Sequence, residues 1–230
     1  MNRDIAFRLF HALYGKLTHV TIENLAFVPQ KGPLILAMNH MSRIDFPLLC
    51  ATDYRLDWTA LVADKYKKWW LFKYICDHTG MIWIDRSKAD FEAFKKAFDW
   101  IKAGNLLVLA PEGTRSRTAQ LLEAKTGIVM LAVKAGVPVC TGSIFGTEHF
   151  MNDFLHFRKP QITIRFSPPV VLPRIDPDNR EKSLRESTDE VMCRIAAMLP
   201  EPYRGAYQAY PRVQELLDEW KDVPSLKIPE

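Results

Sequence analysis

From Leu34 onward, short apolar runs alternate with stretches of helical periodicity. Leu34–Met38, Thr59–Val62, Met81–Ile84 and Leu106–Ala110 are short and largely apolar, which predicts strands buried on both faces. Between them, residues 44–52, 66–78 and 88–102 read as helices. The last is the clearest: Phe91, Phe94, Phe98 and Ile101 recur at helical spacing, and Ala103-Gly104 provides a stop. A helix over 124–135 follows, then strands over 138–145 and 160–167. Pro168-Pro169 and the Pro173–Pro177 stretch form a connector to a further helix over 179–198. The pattern predicts a single α/β domain with a mixed, mostly parallel sheet flanked by helices. Residues 201–230, richer in Pro and Tyr, read as a docked C-terminal extension with a loose end.

Ahead of the first strand, residues 4–17 form an amphipathic helix. Ile5, Leu9, Leu13 and Leu17 fall on one face with Ala6 and Phe10, while Arg8 and Lys16 lie off it. Such a stripe suits two partners, the protein's own core or the interfacial zone of a bilayer.

Composition narrows the class. With 48% hydrophobic and 25% charged residues among 230, the chain is too apolar to be disordered and too interrupted to be a polytopic membrane protein. No apolar run approaches the ~18 residues of a spanning helix. The net charge of +4 leans only faintly toward anionic partners, because 31 basic residues face 27 acidic ones. Cys50, Cys76, Cys140 and Cys193 are scattered, without zinc-ligand spacing, and no signal peptide opens the chain. Buried thiols in a reducing cytoplasm are the simplest expectation.

Three clusters then concentrate chemistry at strand ends, where α/β sheets collect functional groups. Asn39-His40-Met41-Ser42-Arg43-Ile44-Asp45 follows the first buried strand. A turn that returns Asp45 to one nitrogen of His40 leaves the other nitrogen to accept a proton from a substrate hydroxyl. An Asp at this spacing can equally cap a helix, so the surroundings decide. Gly80–Arg86 delivers Asp85 and Arg86 past the third strand. Pro111-Glu112-Gly113-Thr114-Arg115-Ser116 follows the fourth, with Gly113 permitting a tight turn and Arg115 offering a fork suited to phosphate. One base and two guanidiniums at three strand ends describe a site for a phosphorylated alcohol.

Taken in order, these blocks resemble those of the glycerol-3-phosphate/lysophosphatidic acid acyltransferase (PlsC-like) family. That family carries N-H-x-x-x-x-D, G-x-x-x-I-D-R and E-G-T-R-S blocks and a Pro-containing fourth, here Val137-Pro138-Val139. The likeness spans about residues 33–146 and implies an acyltransferase domain over residues 1–200. It implies that His40 deprotonates the acceptor hydroxyl for attack on an acyl thioester and that Asp45 orients His40. Arg86, Arg115, Glu112, Gly113 and Thr114 would form the phosphate site, with Asn39, Ser42 and Lys125 supporting. The donor would be acyl-CoA or acyl-carrier protein, and the acceptor a lysophospholipid or glycerol phosphate. No metal or cofactor is implied, because the thioester already carries the activation. Backbone amides around Gly113–Thr114 are candidate donors to the tetrahedral oxyanion. Two positions depart from the family pattern: Ala110 stands where Phe is frequent, and Cys140-Thr141 where a second proline is frequent.

The segment Asp64–Tyr74 interleaves Lys65, Lys67, Lys68 and Lys73 with Tyr66, Trp69, Trp70, Phe72 and Tyr74. Aromatics among lysines stack on single-stranded nucleic acid or anchor at anionic lipid, and the same residues can pack inward with solvated lysines. Beside the three blocks, membrane contact through Lys65, Lys67, Lys68, Trp69 and Trp70 is favoured over nucleic acid. The expectation is a peripheral enzyme on the cytoplasmic face of a membrane. No G-x-S-x-G, P-loop or H-E-x-x-H occurs. The rivals are a non-catalytic phospholipid-binding protein on the same fold and an acyl thioesterase that uses water in place of the alcohol.

Overall fold

The computed structural model describes residues 3–49, 54–223 and 226–229. The elements run α1 (Arg3–Leu17), β1 (His19–Glu23), β2 (Leu34–Met38), α2 (Asp45–Leu49), β3 (Trp58–Ala63), α3 (Trp70–Thr79), β4 (Ile82–Ile84), α4 (Phe91–Lys102) and β5 (Leu106–Leu109). The remainder are α5 (Gly127–Ala135), β6 (Val139–Phe145), α6 (Phe150–Leu155), β7 (Gln161–Phe166), α7 (Arg180–Ala197) and α8 (Pro211–Lys221). The strands form a seven-stranded sheet in the order β1-β7-β6-β2-β5-β3-β4. Every pair is parallel except β6–β7, so the sheet is mixed and mostly parallel, as the alternating pattern predicts.

The apolar runs are explained by a sheet covered on both sides. Along β2, Ile35 and Ala37 enter one core, while Leu34, Leu36 and Met38 enter the other. Leu107 and Leu109 of β5 part from Leu106 and Val108 in the same way. The first core is closed by residues of α4, α5, α7 and α8, the second by residues of α1 and α2. Beyond Pro200 the chain is built into that first core: Tyr207, Val213, Leu216 and Trp220 are all buried there.

Helix starts differ from the pattern for local reasons. The Asp90 carboxylate accepts the Ala93 amide at 3.0 Å, so α4 begins at Phe91 rather than at 88. The Lys125 amide donates to Pro111 O at 2.9 Å, which holds residues 124–126 on the loop and delays α5 to Gly127. Residues 66–78 are split into a 3-10 turn (Asp64–Lys68) and α3, because Trp69 takes an extended conformation. Of the helix expected over 44–52, residues 50–52 lie outside the described residues. The pattern left β1, α6 and α8 unassigned. Edge strand β1 is polar and short, and six-residue α6 is mostly exposed.

Of the two partners open to α1, the protein's own core takes a face other than most of the leucine stripe. Ala6, Phe7 and Tyr14 are buried, whereas Ile5, Leu9 and Leu13 are exposed. Phe7 stacks on Trp58 with ring centroids 5.1 Å apart, and the Arg3 guanidinium caps Leu56 O at 3.1 Å. Those contacts turn the leucine stripe outward. Among the described residues, no helix is long and apolar enough to cross a membrane.

Candidate active site

β2, β3, β4, β5 and β6 are parallel to one another, so the segments that follow them gather along one edge of the sheet. β2 releases Asn39 and His40 there. Asn39 is buried and clamps the far end of β6: its Nδ2 donates to Ile144 O and its Oδ1 accepts Ile144 N–H, both at 2.8 Å. The clamp fixes where the next residue leaves the sheet.

His40 Nδ1 lies 2.8 Å from Asp45 Oδ2. An ionised carboxylate only accepts, so Nδ1 carries the proton and Nε2 presents a lone pair. Asp45, 2% exposed, is held from every side. Its Oδ2 also accepts the Met41 and Ser42 amides at 2.7 Å each, and its Oδ1 accepts the Thr147 hydroxyl at 2.6 Å. Thr147 escapes sequence reasoning because it is a lone residue more than a hundred positions away. Gly146 brings it into place with φ +88, and a Cβ there would sit 2.1 Å from Gln161 O. The Phe46 ring leans on the imidazole at 5.0 Å.

Glu112 joins the β2 and β5 loops. Oε1 accepts the His40 amide at 3.0 Å and Oε2 the Leu122 amide at 2.9 Å, while the Ser116 amide returns to His40 O at 2.8 Å. Burial pushes the Glu112 carboxyl up to about 7 against these hydrogen bonds, and the nearby Asp45 carboxylate adds to the rise. Glu112 thus frames the site from beneath, with its side chain buried rather than open to a ligand.

The Phe46 ring that leans on His40 also lines a cleft of about 220 Å³, together with Arg86, Phe94, Gly113, Lys125 and Leu131 among others; His40 and Asp45 themselves are not among its lining residues. Arg86 and Lys125 therefore share one wall system with Gly113. The Lys125 side chain crosses Gly113, whose φ is +66 and whose added Cβ would meet Lys125 Cδ at 3.1 Å. Surrounding groups displace water from Arg86 and lower its guanidinium from the usual value. Among the described residues, no carboxylate pairs with Arg86, Arg115 or Lys125. Lys88, which no motif singled out, also lines the cleft and lies 3.6 Å from Asp85.

Not every expected residue meets here. Arg115 is half-buried and outside the residues lining the cleft, and Thr114 is exposed on the same loop. The Gly113 amide is spent on Ala110 O at 3.0 Å, so it is no free oxyanion donor; the Thr114 amide has no acceptor among the described residues. Of the aromatic–lysine segment, Trp70 is 78% exposed, and Trp69 is partly covered by Arg43, whose guanidinium lies 5.2 Å from the ring. Lys65, Lys67 and Lys68 fall on the 3-10 turn before α3, where Lys65 and Lys67 lie over the Tyr66 and Trp83 rings. Cys76, Cys140 and Cys193 are buried, and burial pushes each thiol up to about 12; Cys50 lies outside the described residues.

Comparison with known proteins identifies the family. The acyltransferase family model matches residues 19–144, from the start of β1 to the penultimate residue of β6. A 1-acyl-sn-glycerol-3-phosphate acyltransferase of Limnanthes alba is 36% identical over 164 residues, covering 69% of this chain and 56% of that one. One from Cocos nucifera is 30% identical over 156 residues, covering 66% and 49%. The chain thus spans about half the length of these relatives. The crystal structure of the 1-acyl-sn-glycerophosphate (LPA) acyltransferase PlsC from Thermotoga maritima superposes with a TM-score of 0.63 at 24% identity, covering 82% of this chain and 76% of that one. The matched span holds the His40–Asp45 pair, the Arg86 strand end and the Glu112 loop, and the chain belongs to the acyltransferase family.

Proposed function

We propose that this chain is an O-acyltransferase that moves a fatty acyl group from an acyl thioester to the hydroxyl of 1-acylglycerol-3-phosphate. The observation that carries the reading is the His40–Asp45 pair, joined through the Phe46 ring to a cleft that holds Arg86 and Lys125, two cations without a carboxylate partner among the described residues. In this reading Nε2 takes the hydroxyl proton as the oxygen attacks the thioester carbonyl. The tetrahedral adduct then expels the thiolate, and the imidazolium returns the proton to sulfur. Asp45 balances the charge that appears on the ring. Arg86 and Lys125 hold the phosphate, with Arg115 two residues beyond Gly113 as a further cation, and the Thr114 amide serves as a donor to the oxyanion. The apolar part of the cleft, Phe46, Leu61, Phe94, Ile128 and Leu131, suits an acyl chain. The thioester is acyl-CoA or acyl-carrier protein.

The exposed residues Ile5, Leu9 and Leu13 of α1 and Trp70, Leu71 and Tyr74 of α3 support contact with a membrane, as does the packing of those helices against one another. The test is a panel of acceptors with a labelled acyl thioester, read by mass spectrometry of the lipid product. Product on phosphorylated acceptors, lost in His40→Ala, is expected. Equal rates on acceptors with and without phosphate would remove the phosphate site. Free fatty acid released without any acceptor dependence would make the protein a thioesterase.

A further inference from the structure

One exposed apolar surface belongs neither to the cleft nor to the α1 and α3 faces. On α6 and the turn behind it, Met151, Phe154, Leu155 and Phe157 are 62%, 50%, 69% and 100% exposed. Phe150 stacks on Phe154 with parallel rings 6.1 Å apart. Phe157 holds φ 55, a conformation uncommon for a bulky side chain, with its ring wholly in solvent. Arg158 and Lys159 follow at once, and both are exposed. Four large apolar side chains kept in water on so short a segment call for a partner.

Position narrows the partner. β6 runs parallel to β2, so α6 emerges at the edge where His40 leaves the sheet, and Thr147, which holds Asp45, lies three residues before Phe150. Pro160 O accepts the His19 amide at 2.9 Å, which sets the end of this segment beside the end of α1 with its exposed Leu13 and Lys16. The surface therefore continues toward the outward stripe of α1.

Charge selects among occupants. The segment 149–159 carries Arg158 and Lys159 with one carboxylate, Asp153, which lies 3.7 Å from Arg158. Lys159 has no carboxylate partner among the described residues. A second copy docked about a two-fold would bring this cation-rimmed patch against its own cations. An anionic bilayer offers acyl chains for the rings and headgroups for the cations. We propose that residues Phe150–Lys159 form a second bilayer-contact surface, which inserts Phe154, Leu155 and Phe157 among anionic lipids at the edge of the sheet that holds the dyad. The surface rests on the lipid-acceptor reading for its purpose, and its binding is measurable without catalysis.

The experiment compares the full chain with a Leu155→Ser/Phe157→Ser variant in flotation with vesicles of phosphatidylcholine, with and without phosphatidylglycerol. Both substituted side chains are exposed, and an unchanged thermal midpoint verifies the fold. The expected result is a roughly tenfold or greater fall in partitioning to anionic vesicles, since two large apolar side chains no longer leave water. Activity on a monomeric, short-chain acceptor should be retained, while activity on acceptor embedded in vesicles falls. An environment-sensitive dye on Phe157→Cys should shift to the blue when anionic vesicles are added. Unchanged partitioning, or no dye shift, would overturn the proposal. A variant that only changes from dimer to monomer, with vesicle affinity intact, would assign the surface to a second copy instead. Vesicle binding that depends on these residues without any acyl transfer would leave the surface standing and remove the function reading. Acyl transfer with partitioning indifferent to them would do the reverse.

Discussion

Replacing Asp45 by Asn isolates what the carboxylate charge contributes from what its shape contributes. Oδ2 receives three N–H donors, from His40, Met41 and Ser42, and Oδ1 receives the Thr147 hydroxyl. An amide oxygen at the Oδ2 position keeps all three donors, and its NH2 then meets a hydroxyl that can rotate to accept. The opposite flip would set NH2 against three N–H groups, at about 1–3 kcal/mol for each buried group left unpaired. The asparagine oxygen therefore faces His40, and the Nδ1–H tautomer survives. Weaker neutral hydrogen bonds cost about 1–2 kcal/mol of stability. What disappears is the charge beside the imidazolium, about 4 kcal/mol at 4 Å for an effective dielectric of 20. Part of that is regained by reorientation of neighbouring dipoles, so kcat should fall about 10²–10³-fold with KM for the acceptor little changed. This is smaller than the ~10⁴-fold loss where an amide forces the wrong tautomer. Steady-state kinetics with a phosphorylated acceptor, together with nitrogen NMR of the imidazole, measure both parts. Activity within about threefold of the parent would show that the charge is not used. A loss beyond ~10⁴ with the proton on Nε2 would refute the hydrogen-bond argument.

Other perturbations address the surrounding frame. Glu112, held at about 7 instead of 4.5, keeps a proton in the folded chain that the unfolded chain releases between those values. Its contribution is thus fully present below about 4.5 and is lost as pH rises to about 7, by up to about 3 kcal/mol. Urea unfolding at several pH values should show that slope, and Glu112→Gln should abolish it. Arg86→Gln should lower kcat/KM on a phosphorylated acceptor about 10–100-fold, the worth of one charge-assisted contact, and leave an unphosphorylated acceptor nearly unaffected. Comparable losses on both would mean that Arg86 does not read phosphate. Asn39→Ala removes two buried hydrogen bonds to Ile144 and should cost about 2–4 kcal/mol, seen as a thermal midpoint about 5–10 °C lower. A midpoint unchanged within error would refute the clamp.

How far the sequence reaches can be judged from particular residues. The His40–Asp45 pairing is local: five positions and one turn bring the carboxylate back to the ring, so the spacing permits it and the two other strand-end blocks single it out. The buried strands are legible because a sheet covered on both faces tolerates only apolar residues along its length. Thr147 was hidden, since its hydroxyl meets Asp45 only after β6 is laid beside β2. Lys125 enters the sequence reading only through the family resemblance; its place is set by the tie from its amide to Pro111 O, which lays its side chain across Gly113. Arg115 shows the converse: a motif residue that the folded loop leaves outside the cleft.

The sharpest division lies in α1. Periodicity established a helix with a leucine stripe, because the 3.6-residue repeat is a property of the chain itself. Which stripe meets the core was decided by Trp58 and Leu56, distant residues that take Phe7 and Arg3 and leave Ile5, Leu9 and Leu13 outside. Element type and the residues of the dyad follow from short-range geometry, which a linear pattern records. The choice between core face and outward face, like the grouping of Arg86 with Lys125, depends on which strands become neighbours. Only the closed sheet sets that, because burial is a competition among surfaces that the linear order does not rank.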